Sequence, residues 1–379
     1  MIYFDNAATT LHKPPQVIEA VTKAMTTMGN CGRGAHPSSR RAAGAVYEAR
    51  QKLARFFSCS REDHVVFTAN ATHSLNLAIC GLFSPGDHVI TTVAEHNSVL
   101  RPLYRLEGQI GLQTDYIPTD AKGVLQLSKL EEFLRPNTKA VICTHMSNVT
   151  GNITDLETVS AFTKKHGLLL VVDGSQSAGY LPISMKEMAI DILCVTGHKG
   201  LLGPQGTGCL LLREGISLRP LTVGGSGVQS YLKEQPPKLP EALEAGTLNT
   251  HGIAGLSSAM DYLEEMGLEV IKEKEDALTR YFYEGIRHIP GIQIYGDPEG
   301  SHGPIVALNL PNMDSATLAD CLAEDYGIAT RPGAHCAPLM HKALGTDTQG
   351  LVRFSFSHFN TCEEVDLAVT ALKELRQQD

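Results

Sequence analysis

An α/β architecture with a mainly parallel sheet, joined to a smaller α+β unit, is the fold class this sequence predicts. Three observations predict it. Short β-rich runs alternate with amphipathic stretches from about residue 64 to 212. The runs are continuously apolar, as strands covered on both faces are. A segment rich in Gly, Pro and charge, Ser226 to Gly246, then separates this half from a helix-rich remainder.

The elements follow in order. HVVFT (64–68) precedes a helical pattern from Ala71 to Leu82, and DHVITT (87–92) one from Asn97 to Leu106. AVICTH (140–145) precedes a third, Leu156 to His166, and LLLVVDG (168–174), DILCVTG (191–197) and GCLLLR (208–213) complete the series. Beyond the Gly-rich segment lie a helical region, Ile253 to His288, and strands PIVALNL (304–310) and LVRFSFS (351–357) flanking a helix near Ser315–Tyr326. An amphipathic helix, Glu363 to Arg376, follows. A large domain over 15–250 and a small one from 1–14 plus 251–379 are expected.

Composition narrows the function. The 379 residues are 42% hydrophobic and carry a formal net charge of −9, and no basic run exceeds Arg40-Arg41, so a nucleic-acid partner is not expected. Nine cysteines occur without a CxxC pair, several inside apolar runs, which reads as reduced thiols in a cytoplasmic protein. The start, MIYFDNAATT, has no signal-peptide pattern, and no apolar run is long enough to span a bilayer, so no membrane association is expected.

In open α/β sheets ligands bind beyond the carboxyl ends of the strands. Here those ends are followed by ANATHS, AEHNS, MSNVTGN, DGSQS and TGHKG, which gather hydroxyls, amides, two histidines, a carboxylate and a lysine. Such groups suit an aromatic phosphorylated aldehyde. Lys199 can form a Schiff base with it, and Asp173 can hold a pyridine nitrogen protonated. Thr72, Thr196 and His198 can grip a phosphate, His96 can stack on the ring, and Asn148 and Gln176 can bond its phenolic oxygen. The glycines of GHKGLLGPQGTG would then give the cofactor room. Singly each signal is weak: a lone Lys in such a loop is usually a surface residue, and a lone Asp after a strand is often a helix cap. Their joint ordering, each after its own strand, carries the reading.

At these residues the chain resembles the fold-type I pyridoxal-phosphate enzymes of the class V aminotransferase family, and within it the cysteine desulfurases. The resemblance runs through YFDNAAT (3–9), GRGAHPSS (32–39), FTANATHSLN (67–76), AEHNSV (94–99), SNVTGNI (147–153), VVDGSQSAG (171–179), TGHKGLLGPQGTG (196–208), EAGTLNTHGIAGL (244–256), RPGAHCAP (331–338) and VRFSFSHFNT (352–361). It implies a seven-stranded sheet and a pyridoxal 5'-phosphate site of Lys199, Asp173, Gln176, His96, Asn148, Thr72, Ala71, Thr196 and His198. It further implies a homodimer in which Thr247 reaches the partner's phosphate, with Arg353, Arg331, Asn148 and His36 on the substrate side. RPGAHCAP resembles the RxGxHCA signature of group II members, which include SUF-type desulfurases and selenocysteine lyases. Two positions depart from the pattern: Ala334, where many members carry a second histidine, and Asn70, where the phosphate loop usually has glycine. The first leaves the choice of sulfur or selenium open.

Cys336 separates a desulfurase from a transaminase. Its flanking prolines and glycine predict a loop, and Arg331 and His335 stand near it to favour the thiolate; a buried structural thiol, or a metal site with His335 and His341, are the alternatives. Arg353, alone in an apolar strand, suits a substrate carboxylate or else a buried ion pair. The expected activity is conversion of L-cysteine to L-alanine with sulfur passed to Cys336 and then to an acceptor protein or thiol, Lys199 acting as base and His96 as proton shuttle. A selenocysteine lyase acting on L-selenocysteine, another class V β-lyase, a transaminase or an epimerase are enzyme alternatives. A non-catalytic sensor of the same fold is another; it commonly carries an added DNA-binding domain, for which the first 14 residues leave no space.

Overall fold

The computed structural model of the chain describes residues 1–32 and 34–377; Arg33, inside GRGAHPSS, and the last two residues lie outside them. The chain opens with strand β1 (Ile2–Tyr3) and helices α1 (Pro15–Thr27) and α2 (Pro37–Phe56). It then alternates: β2 (Val65–Thr68), α3 (Ala71–Leu82), β3 (His88–Thr92), α4 (Asn97–Ile110), β4 (Gln113–Ile117), β5 (Thr138–Thr144), α5 (Leu156–His166), β6 (Leu169–Asp173), β7 (Ile192–Thr196) and β8 (Gly208–Leu212). No helix or strand lies between Leu212 and α6 (Thr250–Met266). After α7 (Leu268–Ile286) come β9 (Gln293–Tyr295), β10 (Ile305–Asn309), α8 (Ser315–Tyr326), β11 (Ile328–Ala329), β12 (Arg331–Gly333), α9 (Pro338–Leu344), β13 (Leu351–Ser355) and α10 (Cys362–Gln377).

Strands β2 to β8 form one seven-stranded sheet in the order β2-β8-β7-β6-β5-β3-β4, parallel except for β8, which runs against both its neighbours. Alternate side chains of each strand enter different cores. Leu170, Val172, Leu193 and Val195 join the core shared with α2, α5 and α6, while Val171, Ile192 and Cys194 join the one under α3 and α4. Two apolar faces explain why these strands read as unbroken apolar runs. The seventh strand, β4, is an edge strand of sequence QTDYI that pairs only with β3, so it shows no such run.

The sheet order reverses between β3 and β5, which opens a crevice at their carboxyl ends. Strand β5 places Thr144 beside Asp173 of β6, and Asp173 lies beside Cys194 of β7, two residues before Thr196. Helices α3 and α4 begin at this same edge. Asn70 Oδ1 accepts from His73 N at 2.9 Å and His96 Nδ1 from Ser98 N at 3.0 Å, which caps both helices. Asn70 has φ −177, extended backbone that needs no glycine, so the departure at this position carries no conformational cost.

A four-stranded antiparallel sheet, β12-β13-β10-β9, forms the smaller unit. Its core takes Phe282 from α7, Leu318 from α8, Leu372 from α10 and Phe4 from the N-terminal segment. The core of the larger unit continues past residue 250, where Leu256, Ala259 and Met260 of α6 and Ile271 of α7 join it.

Candidate active site

Lys199 stands between two cavities. One is lined by Asn70, Ala71, Thr72, His96, Ser98, Thr144, Asn148, Asp173, Ser175, Gln176, Thr196 and His198; the other runs under the lysine past Asn6, Gln176, Glu275 and His358. The first contains every residue expected to hold the cofactor except Thr247. Burial lowers Lys199 to about 8, while the nearby Asp173 carboxylate works in the opposite direction. An amine so poised is partly uncharged near neutral pH, the form that attacks a carbonyl.

The residues present fit a phosphorylated pyridine aldehyde. Thr196 Oγ1 is buried with no hydrogen-bond partner among the described residues, and it faces the start of α3, where helical N–H groups favour an anion. His198 is pushed down to about 4 by burial and by Lys199, so it is neutral and can accept or donate. Asp173 is buried and accepts from Ser175 N at 2.9 Å and from the Ser175 hydroxyl. His96 is held by the bond to its own helix, and its Nδ1 also meets Ser98 Oγ at 2.9 Å, which in turn meets Thr72 Oγ1 at 2.8 Å. Burial and the charge of Lys199 hold His96 below the usual imidazole range.

The glycines have a different use from the one expected. A Cβ on Gly200 would lie 2.5 Å from the Ala178 carbonyl, and one on Gly208 would lie 2.9 Å from the Asn70 backbone. These glycines let chain segments cross in close contact beneath and beside Lys199; they do not face the cofactor cavity.

Cys336 reaches the site from the smaller unit. The RPGAHCAP segment, expected as a loop, begins as strand: Arg331–Gly333 is β12, paired with β13, and the turn follows before Pro338 opens α9. Pro332 is tolerated because β12 is an edge strand. The turn is pinned to the larger unit twice, by Asn148 Nδ2 donating to the His335 carbonyl at 2.7 Å and Asn97 N donating to the Cys336 carbonyl at 2.7 Å. Cys336 is exposed, and a thiolate there is close enough to Lys199 to favour the charged amine.

Of the two readings expected for Arg353, the structure shows the buried ion pair. Its Nη2 donates to Asp5 Oδ1 at 3.0 Å and its Nη1 to the Asn148 carbonyl at 2.8 Å; its Nε is buried with no partner among the described residues. Arg331 is exposed, 3.9 Å from Asp5 Oδ2. His36 and Thr247 lie outside the Lys199 cavity. His36 caps α2 at the surface, and Thr247 is exposed on a groove that also takes Asn30 and Gly32.

Three residues escaped the sequence reading. Asp5, within YFDNAAT, follows no strand of the main sheet and so carries no local signal; a lone buried arginine requires such a partner. Ser98 links Thr72 to His96. Glu95, fully buried, accepts from the Thr92 hydroxyl at 2.6 Å and Thr144 N at 3.0 Å, tying β3 to β5 one residue before His96. Burial raises it to about 8, so it is largely the neutral acid. The signal was a carboxylate directly after an apolar strand.

Known proteins resemble almost the whole chain. The family described as aminotransferase class-V matches residues 2–368. The chain is 35% identical to a probable cysteine desulfurase of Methanothermobacter thermautotrophicus, over 99% of this chain and 94% of the relative. It is 33% identical to a cysteine desulfurase of Haloferax volcanii, over 100% of this chain and 90% of the relative. The apo structure of a cysteine desulfurase from Thermococcus onnurineus superposes with a TM-score of 0.94 at 35% identity, covering 100% of this chain and 95% of that one. A cysteine desulfurase of Escherichia coli, solved in an S-sulfonic acid form, gives a TM-score of 0.90 at 29% identity, covering 99% and 94%. Sequence and architecture agree from end to end: this chain belongs to the cysteine desulfurase family, within the class-V aminotransferases.

Proposed function

We propose that the protein is a pyridoxal 5'-phosphate-dependent cysteine desulfurase that converts L-cysteine to L-alanine and receives the sulfur on Cys336 as a persulfide. The observation that carries the reading is the pair of 2.7 Å bonds that tie the turn bearing Cys336, an exposed thiol, to Asn148 of the Lys199 cavity wall and to Asn97 beside His96. A transaminase has no use for a thiol there. When bound, the cofactor supplies an electron sink that stabilises negative charge at the substrate Cα.

The chain's residues supply the rest. Lys199 holds the cofactor and, once freed by substrate, takes the Cα proton, a task for which an amine held near 8 suits neutral pH. Asp173, in the cavity wall, would keep the ring nitrogen protonated, and Ala71, Thr72, Thr196 and His198 would hold the phosphate. His96 would pack on the ring, and Gln176 and Asn148 would bond its oxygen. Arg353 and the exposed Arg331, which share Asp5, would offer their positive charge to the substrate carboxylate. The Cys336 thiolate attacks the substrate Sγ; the S–S bond forms as the Cβ–Sγ bond breaks, Cβ keeps the electron pair and takes up a proton, and the thiol is oxidised as Cβ is reduced. No outside oxidant is needed. An acceptor thiol or protein then removes the outer sulfur.

Thr247 and His36, outside the cavity of their own chain, fit a homodimer with composite sites. Leu221, Val223, Tyr231 and Leu232 of the irregular segment before α6 are exposed apolar residues available to such an interface. The free state of all nine cysteines fits a reducing, cytoplasmic setting, and no helix among the described residues is long and apolar enough to cross a membrane. Replacement C336A tests the reading. Alanine and sulfide release from L-cysteine should vanish while the visible absorbance of the bound cofactor stays, and turnover of L-selenocysteine should survive because selenide leaves more easily. Undiminished desulfuration by C336A removes Cys336 from the reaction.

A further inference from the structure

His335 and Cys336 occupy consecutive left-handed conformations, φ +49 and +56, with Ala337 N donating to the Ala334 carbonyl at 3.0 Å. Two such residues at the centre of a four-residue turn form the type usually built from Asn and Gly. Neither His nor Cys favours it, so something must hold the turn. Asn148 and Asn97 hold its two carbonyls. A third anchor is the buried imidazole of His335 itself.

The side chains of His335 and Cys336 part company at the turn: the imidazole is buried and the thiol exposed. His335 Nε2 lies 2.9 Å from the Arg331 carbonyl, which only accepts, so Nε2 carries the proton and Nδ1 is bare. Nδ1 lies 3.3 Å from His341 Nε2, which must then donate. His341 Nδ1, bare in its turn, lies 2.9 Å from Thr346 Oγ1. The two ring planes are parallel to within 7° with centroids 5.5 Å apart, the edge-to-edge placement that an in-plane N–H···N bond requires. Each bond fixes the tautomer of the next, and the chain ends in a buried threonine on the loop after α9.

We propose that His341 is a positioning residue for Cys336: by donating to His335 Nδ1 it locks the ring that anchors the left-handed turn and so holds the thiol at the rim of the Lys199 cavity. Thr346, at the end of the chain, supports this tautomer by donating its hydroxyl proton to the bare His341 Nδ1. Without the anchor the turn can relax toward φ below zero, the conformation both residues prefer, and swing the thiol away. Burial keeps both imidazoles below their usual range, which preserves the neutral forms the chain needs.

The inference rests on the reading of Cys336 as sulfur acceptor, and the test separates the two. The cofactor-loaded protein and its H341A, H341Q and T346V variants are given L-cysteine, and steady-state constants and the single-turnover rate of sulfur appearing on Cys336 are measured. Backbone hydrogen exchange is followed by mass for the same samples. H341A should lower kcat and the transfer rate by roughly 10- to 100-fold, the scale of an ångström-sized misplacement. The KM for cysteine should stay within about two-fold, because no contact to substrate changes. H341Q, whose amide N–H can replace the Nε2 donor, should recover most of the rate, and T346V should show a smaller loss in the same direction. Exchange should quicken at residues 331–337 and not across β13. Wild-type transfer in H341A, or exchange that quickens evenly over α9 and β13 with a rate loss matching the lost folded fraction, overturns the proposal. Should H341A fail to fold, H341Q and T346V decide it by the same rates: a T346V rate equal to wild type overturns it. If C336A still desulfurates, the functional reading itself falls; if C336A is dead and H341A is unaffected, only the positioning role falls.

Discussion

Gly179 closes the turn after β6 at φ +88, and a Cβ built there would lie 2.7 Å from the Leu201 nitrogen and nearer still to the Gly200 carbonyl. Replacement G179A therefore forces the backbone next to Lys199 to move. To reach ordinary carbon contact distances the two segments must separate by roughly 1 Å. The left-handed conformation costs an alanine about 1–2 kcal/mol, and overpacking adds about 1–3 kcal/mol. Stability should fall by about 2–5 kcal/mol, read from denaturant midpoints of the cofactor-loaded protein. Lys199 is the neighbour of Gly200, so its amine shifts with the segment, and turnover should fall about 100-fold. Borohydride reduction followed by peptide mapping should show less label on Lys199 at equal cofactor concentration. A G179A protein with wild-type stability, labelling and turnover would refute the claim that close backbone crossing, not space for the cofactor, is what the glycines of this site provide.

Two further perturbations address charge. Because burial lowers Lys199 to about 8, the neutral amine that attacks an aldehyde grows as pH rises toward 8 and saturates above it. The rate of cofactor attachment to stripped protein, followed by absorbance, should rise and level off near that pH; a rate still climbing past about pH 10, the range of an ordinary lysine, contradicts this. Glu95, raised from 4.5 to about 8, binds a proton in the folded state that it has lost in the unfolded chain between those values. Its stabilising share is full below 4.5 and is lost as pH rises toward 8, so E95Q should gain on the wild type across that window. E95L, which leaves Thr144 N and the Thr92 hydroxyl without an acceptor, should cost about 1–3 kcal/mol per group at any pH. Parallel pH-stability curves for the wild type and E95Q would contradict the assigned burial.

What could be read from the sequence was whatever a strand or its end displays locally. Strands buried on two faces announce themselves as apolar runs, so β2, β3 and β5 to β8 were legible, and α5 and α8 carry Asp caps and a following glycine that bound them. Edge strand β4 was not, since half its side chains meet water, and β12 was hidden by its proline. Helices α1 and α2 went unread; the apolar stripe of α2 is mostly alanine and valine, too small to stand out. The Lys199 cavity was legible because each member follows its own strand. Pairings between distant parts of the chain were not: Asp5 with Arg353 and Asn148 with the His335 carbonyl join residues 348 and 187 positions apart, and the short-range bond of His335 to His341 depends on a left-handed turn that its own residues do not announce. Thr247 and His36 come from resemblance alone, and a single chain places neither at its own cavity.

The central claim is that Cys336 receives the substrate's sulfur. A single turnover of the cofactor-loaded protein with L-cysteine, quenched and mapped by peptide mass alongside measured alanine, tests it most directly. The account predicts one added sulfur atom on the peptide carrying Cys336 for each alanine formed. Alanine formed with that peptide unmodified, or with the sulfur on any of the other eight cysteines, would contradict it.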